Sequence, residues 1–188
     1  MGSAYGEGIT TMRSSQWDKE NYGLSGGTMK CSIDNIAATA AEVANGDVLM
    51  LAKVPSWGVP MSIKVWNDEI DSNSSPTLTG EVGLYNGPEP YFIGTTQTLA
   101  EAILDIDCLA DEGELTAAIL GANNKGTEVF DLQTNTLVTA DKLDQQFWQW
   151  AGLTEDPQSD FYVAITFNAA NATAQAGDVG MVVKYLVP

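Results

Sequence analysis

Apolar and polar residues alternate with a period of two through most of the chain beyond residue 27. In Thr28–Asn35, Met29, Cys31 and Ile33 alternate with Thr28, Lys30, Ser32 and Asp34. Successive side chains of a strand point to opposite faces, so the pattern predicts a strand with Met29, Cys31 and Ile33 turned inward. Asn45-Gly46-Asp47 marks a turn. Val48–Val54 is apolar on both faces and predicts a central strand, which Pro55 stops. After the Ser56-Trp57-Gly58 loop, Pro60–Ile70 sets Met61, Ile63 and Val65 against Ser62, Lys64, Trp66 and Asp68, with Trp66 on the polar face. Leu78–Tyr85 follows with Leu78, Val82 and Leu84 inward, and Asn86-Gly87-Pro88 is a turn signal. Ala102–Ala110 sets Leu104, Ile106 and Cys108 against Asp105 and Asp107. Leu115–Leu120 and Thr127–Leu132 are short elements of either type around a Gly121–Gly126 loop. Phe161–Asn168 and Gly177–Val187 read as the last two strands.

One segment changes period. In Asp141–Ala151, Leu143, Phe147 and Trp150 recur at i, i+4 and i+7, which predicts a helix with Thr139 as N-cap and Gly152 as C-cap. About eight short strands with one helical connection predict an all-β fold, a jelly-roll-like β-sandwich with one short helix. Residues 1–27 carry six glycines and no sustained period. They read as an extended N-terminal arm, with the sandwich domain over 28–188. Within the arm, Trp17 and Tyr22 have no local apolar face to join. They are candidate anchors on a partner, with Arg13 and Lys19 beside them.

Composition removes whole classes of function. The chain has 188 residues, 44% of them hydrophobic, enough for one sizeable core. Its 25 acidic residues against 8 basic ones give a formal net charge of −17, which opposes binding to nucleic acid or to anionic membranes. There is no histidine. That removes Ser-His-Asp and Cys-His nucleophile systems and the commonest transition-metal ligand. The expectation is no catalytic residue, no cofactor and no metal. Cys31 and Cys108 form no CxxC motif or disulfide framework, and each lies in an alternating apolar pattern, so both read as buried free thiols. Met1–Thr10 has neither the basic nor the apolar region of a signal peptide.

Several local patterns fail on spacing. Gly121-x4-Gly126-Thr127 lacks the lysine that a phosphate loop needs directly after its second glycine. Asp105, Asp107, Asp111 and Glu112 crowd together, but Leu109 occupies a position where a calcium loop needs a ligand. Paired carboxylates of a glycosidase cannot be picked out among so many acids. Asn73-Ser74-Ser75 and Asn171-Ala172-Thr173 match the glycosylation acceptor pattern, which carries nothing without a secretory leader. The aromatic residues Trp57, Trp66, Tyr85, Tyr91 and Phe92 fall in loops or on polar faces. Of these, Trp57 and Trp66 join the arm residues as candidate partner-binding positions. The same aromatics suit a sugar-binding platform, so a carbohydrate-binding sandwich stands as the alternative to a protein-binding one.

The order of the motifs adds a resemblance. Gly46-Asp47-Val48 leads through Leu51-Ala52-Lys53-Val54-Pro55. Later come Phe147-Trp148-x-x-Ala151-Gly152-Leu153-x-x-Asp156-Pro157, Tyr162-x-Ala164-x-Thr166, Ala176-Gly177-Asp178-Val179 and Val183-Lys184-Tyr185. From about Gly27 to the C-terminus, except for an enlarged middle between Pro76 and Thr139, this resembles the cement, or decoration, proteins of tailed-phage heads. The resemblance implies a jelly roll bound to the major capsid protein on the outer surface of a virion assembled in the host cytoplasm. It also implies self-association as a dimer or trimer, and no enzymatic activity.

Overall fold

The computed structural model describes residues 27–86, 93–95, 102–169 and 173–187. Arg13, Trp17, Lys19 and Tyr22, with the arm they belong to, lie outside the described residues, as do Tyr91 and Phe92. The strands are β1 Thr28–Ala38, β2 Asp47–Pro55, β3 Val59–Asn67, β4 Gly80–Tyr85, β5 Ile93–Thr95, β6 Ile103–Leu115, β7 Asn124–Asp131, β8 Asp160–Phe167 and β9 Gly177–Val187. Two one-turn helices, α1 Ala117–Leu120 and α2 Phe147–Trp150, sit in connections.

The strands form two antiparallel sheets, ordered β1-β9-β3-β7 and β5-β2-β8-β4-β6. The pairs β1·β9, β2·β8, β3·β7 and β4·β6 are all hydrogen-bonded. That nesting, first strand with last and second with second-last, is one long hairpin rolled into two layers. It is the jelly roll expected from the sequence, with β5 as an added edge strand beside β2. The core lies between the layers. Leu49, Leu51, Ile63, Val82, Leu84, Phe130, Phe147, Ile165, Phe167 and Val183 are fully buried there. Each such side chain contributes about 1.5–3 kcal/mol relative to exposure, which is what holds two sheets face to face. The central strands β2 and β8 are buried on both faces. Val48, Met50, Tyr85, Tyr162 and Ala164 form a second apolar cluster on the outer side, under Ala102, Ile103 and Ile106.

Three expectations are corrected. The helix over Asp141–Ala151 is broken into a 3-10 turn at Ala140–Lys142 and the single turn of α2. In a continuous helix the amides of Phe147 and Trp148 would bond four residues back. Instead they donate to Gly58 O at 2.8 Å and Ser56 O at 3.0 Å, tying the segment to the β2–β3 corner. Leu143, expected on the buried stripe, is exposed. Gly152 does end the helical turn, at φ +69°, and Leu153 N donates to Trp148 O at 3.1 Å.

The second correction is the face of β1. Ser32, Asp34, Ile36 and Ala38 are its more buried side, whereas Met29, Cys31 and Ile33 point outward. Period-two alternation defines two faces but does not say which is inside. Cys31 is therefore an exposed thiol rather than a buried one. Both cysteines are free, as expected. Cys108 is the half-buried one, and burial pushes its thiol well above the ordinary range.

The third is β6. Between the pairs Val82↔Ala110 and Leu84↔Asp105, β6 carries several more residues than β4. This bulge breaks the alternation, so that Leu104 and Cys108 pack on the main core while Ile106 packs on the outer cluster.

Candidate interaction surface

The outward side of the β1-β9-β3-β7 sheet can be read row by row from its register. Met29 lies beside Leu186, which lies beside Val59. Cys31 lies beside Lys184 and Ser62, Ile33 beside Val182 and Lys64, and Asn35 beside Gly180 and Trp66. The β1 end of every row but the last is apolar or carries the thiol. Met29 is 59% exposed and Ile33 70%, two of the four large hydrophobic side chains exposed among the described residues. Isolated exposed hydrophobics are ordinary, but here a line of them on an edge strand, backed by half-buried Val182 and Leu186, makes a continuous apolar margin.

Trp57, a candidate from the sequence, is exposed at one end of the same sheet. It stands in the corner before β3, at the end of the sheet where the Met29–Leu186–Val59 row lies. Its backbone is clamped on both sides by the bonds from Phe147 and Trp148 to the carbonyls of Gly58 and Ser56. Ser56 Oγ donates to Asp156 and accepts from the Ser159 amide at 3.3 Å, so the Asp156-Pro157 segment holds the same corner. Below it, Phe147 meets the Tyr185 ring edge-on at 6.1 Å, and Phe130 meets Trp150 at 5.6 Å. Trp57 is thus presented on a fixed mount, 37% exposed.

Trp66, the other candidate, has a structural task. A Cβ at Gly126 would lie 2.4 Å from its ring. The indole lies flat on the backbone of β7 where Gly126, at φ +99°, allows it. It is also most of the length of β3 away from Trp57, roughly 23 Å for the steps from Val59 to Trp66 at about 3.3 Å per residue. The structure does not bring these two tryptophans together. Sequence reading passed over Met29 and Ile33, which it turned inward, and Val182 and Leu186. The available signal for the latter was that β9 is apolar at both Val182 and Val183, and at both Tyr185 and Leu186, so one face had to carry apolar groups outside.

The sheets differ in charge. The strands of the β1-β9-β3-β7 sheet carry Lys30, Lys64, Lys125 and Lys184 against Asp34, Glu128, Asp131 and Asp178, and are formally neutral. Lys64 pairs with Glu128 at 3.5 Å across β3 and β7. In the other sheet, Lys53, paired with Asp160 at 3.2 Å, is the single base. Against it stand Asp47, Glu81, Asp105, Asp107, Asp111, Glu112, Glu114 and Asp160. Most of these acids lie on β6. Burial pushes Glu81, Asp105 and Glu114 above their ordinary range. Asp111 is held below its range by its bond with the Glu114 side chain and by the Gly113 amide. Asn168 donates to Glu81 at 2.8 Å and to Glu112 at 3.2 Å, holding the acidic side together. Among the described residues, no group of three or more Cys, Asp and Glu is arranged to hold a metal ion, and no helix is long and apolar enough to cross a membrane.

No family model and no curated protein matches the chain. Two solved structures resemble it over most of its length. A chain of the cyanophage Pam1 capsid asymmetric unit is 19% identical with a TM-score of 0.54, and 87% of each chain is covered. A chain of the capsid of Ralstonia phage GP4 is 17% identical with a TM-score of 0.55, and 86% of each is covered. At this identity the likeness is one of fold, and it runs through both sheets.

Proposed function

We propose that this protein is a structural component of a tailed-phage head, a decoration protein that binds the outer surface of the shell and bridges neighbouring major capsid protein subunits. The observation that carries the reading is the division of the sandwich into a neutral sheet with an exposed apolar margin and an acidic sheet opposite it. The neutral sheet, with Met29, Ile33, Leu186 and Trp57, faces the shell; the acidic one faces solvent. Balanced charge avoids the repulsion that an acidic face would meet, and exposed apolar or aromatic side chains supply anchors for a protein contact. The fold shared with chains of two phage capsids supports the same reading. In this reading the chain has no catalytic role, its place is the capsid surface, and Arg13, Trp17, Lys19 and Tyr22 of the arm add contacts to the major capsid protein.

The mechanism is burial. About 800 Å² on each partner suffices for a specific contact, and repetition around a symmetry axis multiplies it. Among the described residues the carbohydrate-binding alternative gains no support. It needs paired exposed aromatics, and of the two candidate tryptophans Trp66 is spent on Gly126.

The test is co-sedimentation of the purified protein with phage shells stripped of it, followed by electron cryo-microscopy of the complex. Saturable binding with density on the outer surface is the expected result. Absence of binding, or density on a tail fibre instead, overturns the reading.

A further inference from the structure

The proposal above leaves open how copies of the chain meet one another. β1 is an edge strand: β9 pairs with one side of it along all 11 residues, and no described strand pairs with the other. A long, regular, partly apolar edge is a template for another strand, and proteins that keep such an edge open to solvent normally break it with a bulge, a proline or an inward charge. The β1·β9 register runs from Thr28 to Ala38 without a shift, and β1 has no proline; its two charges, Lys30 and Asp34, share the more buried face, where a matched partner strand would have to pair them.

We infer that β1 is a self-association edge, pairing antiparallel with β1 of a second copy about a two-fold axis at Ser32. This rests on the decoration-protein reading for its biological use, but its geometry stands on the strand alone. In a two-fold antiparallel pair, facing residues share a face, and their numbers sum to a constant. With the axis at Ser32, Lys30 faces Asp34 of the second copy, and the symmetry makes this pair twice. On the other face Cys31 meets Ile33 and Met29 meets Asn35. Moving the axis to Cys31 or Ile33 sets Lys30 against Ser32 or Ile36 and loses both charge pairs. The sequence of β1 is thus self-complementary in one register, in charge on one face and in apolar contact on the other.

The backbone agrees with that register. Asn35 N is satisfied locally by its neighbour Asp34 Oδ1 at 2.8 Å rather than by the sheet, so the amides of this parity are directed to the open edge. Cys31↔Ile33 and Met29↔Asn35 are then the pairs that exchange hydrogen bonds. Asp34, on engaging Lys30 of the second copy, releases the Asn35 amide to do so. The product is a continuous eight-stranded sheet, with the Met29, Cys31 and Ile33 lines of both copies forming one apolar band through its centre.

The experiment is sedimentation velocity on the full chain, with Lys30→Glu, Asp34→Lys and the double exchange, each first checked by thermal melting. Wild type is expected to be a dimer. Each single exchange places like charges opposite one another twice and should weaken the dimer roughly tenfold or more, and the double exchange should restore it. A wild-type monomer, singles with unchanged affinity, or a double exchange no tighter than the singles would each overturn the inference. Ser32→Cys with Cys31→Ser gives a second readout independent of charge. Position 32 faces itself across the axis, so oxidation should yield a disulfide-linked dimer, and failure to link counts against the register. Shell co-sedimentation of the same proteins separates the two readings. Monomers that bind shells refute the edge pairing alone, and dimers that ignore shells refute the decoration role alone.

Discussion

At the scale of single residues, close approaches rather than chemistry fix much of the molecule. Gly83 of β4 lies under the β6 bulge, where a Cβ would sit 2.1 Å from the Asp105 carbonyl oxygen and 2.4 Å from the backbone of Ile106. Neither neighbour is a flexible side-chain tip, so the strand pair must separate to admit a methyl group. Gly83→Ala is therefore expected to cost about 2–4 kcal/mol, a fall in Tm of roughly 5–15 °C. Gly152→Ala is the matched comparison. Its Cβ would meet nothing within 4 Å, and only φ +69° opposes it, so the cost should stay near about 1 kcal/mol. Calorimetry on the two variants decides the matter; equal losses would mean that the bulge yields easily and is not a fixed feature. Polar residues act with similar economy. Buried Asp71 accepts the amides of Asn73, Thr77 and Leu78 and so shapes the whole loop before β4. Asn67 does the same for the turn after α1 by donating to Asp68 O at 2.8 Å and Ala122 O at 3.0 Å. Such residues read from sequence only as ordinary polar positions, because the amides and carbonyls they satisfy are identified by the fold.

At the scale of elements, the strands were legible and their setting less so. β2, β3, β8 and β9 follow directly from their apolar pattern, because each turns at least one run of buried side chains into the core. β1 was found at its correct start but turned over, since an edge strand that is apolar on its outer face imitates the pattern of a buried one. α2 was absorbed into a longer helix because Leu143, Phe147 and Trp150 happen to keep helical spacing; the bonds to Ser56 and Gly58 that interrupt it come from residues about 90 positions away in sequence. Of the partner-binding candidates, Trp57 was visible as an aromatic in a loop, whereas Met29 and Ile33 were hidden by the same inversion of β1. The acids of β6 give this scale its own test. Glu81, Asp105 and Glu114 have folded-state values above their ordinary ones of 4.5, 3.8 and 4.5, chiefly through burial. Their contribution to stability is complete below those ordinary values and is lost as pH rises through the higher folded ones. Glu42 and Asp111 are lowered, from 4.5 and 3.8, chiefly by hydrogen bonds, so theirs is present above those values and lost as pH falls through the lower ones. Tm should accordingly rise as pH falls from neutral toward the ordinary value of 4.5, and drop again as pH falls below 3.8. A Tm that declines steadily from neutral pH downward would show that the buried carboxylates are not the controlling groups.

At the scale of the whole molecule, the two sheets present different surfaces to the world. A formal charge of −17 spread evenly would hinder close packing on any protein shell, because each interface would bring acids together. Placing eight acidic residues against one lysine on the strands of the β5-β2-β8-β4-β6 sheet leaves the opposite sheet neutral and able to approach a partner. In the proposed role the same arrangement would leave an acidic exterior on the particle, and like charges of that kind repel in solution. Orientation on the shell is therefore the property that the decoration role demands and that the charge division specifies. It is measurable by chemical footprinting of free and shell-bound protein, read by mass spectrometry. Acylation should report on Lys64 and Lys184, which lie on the outward rows of the neutral sheet, and carbodiimide coupling on Asp107 and Glu112, both exposed on β6. Binding is expected to protect Lys64 and Lys184 strongly while Asp107 and Glu112 react as they do in the free protein. Lys53, on the acidic sheet, is the internal control for acylation: it should keep its reactivity, since its neighbour Asp160 is the same in both states. Protection of Asp107 and Glu112 with the lysines left open would mean that the acidic sheet meets the shell, through a basic partner surface, and that the apolar margin of β1 serves self-association only. Protection of both sets would place the protein between subunits rather than on top of them.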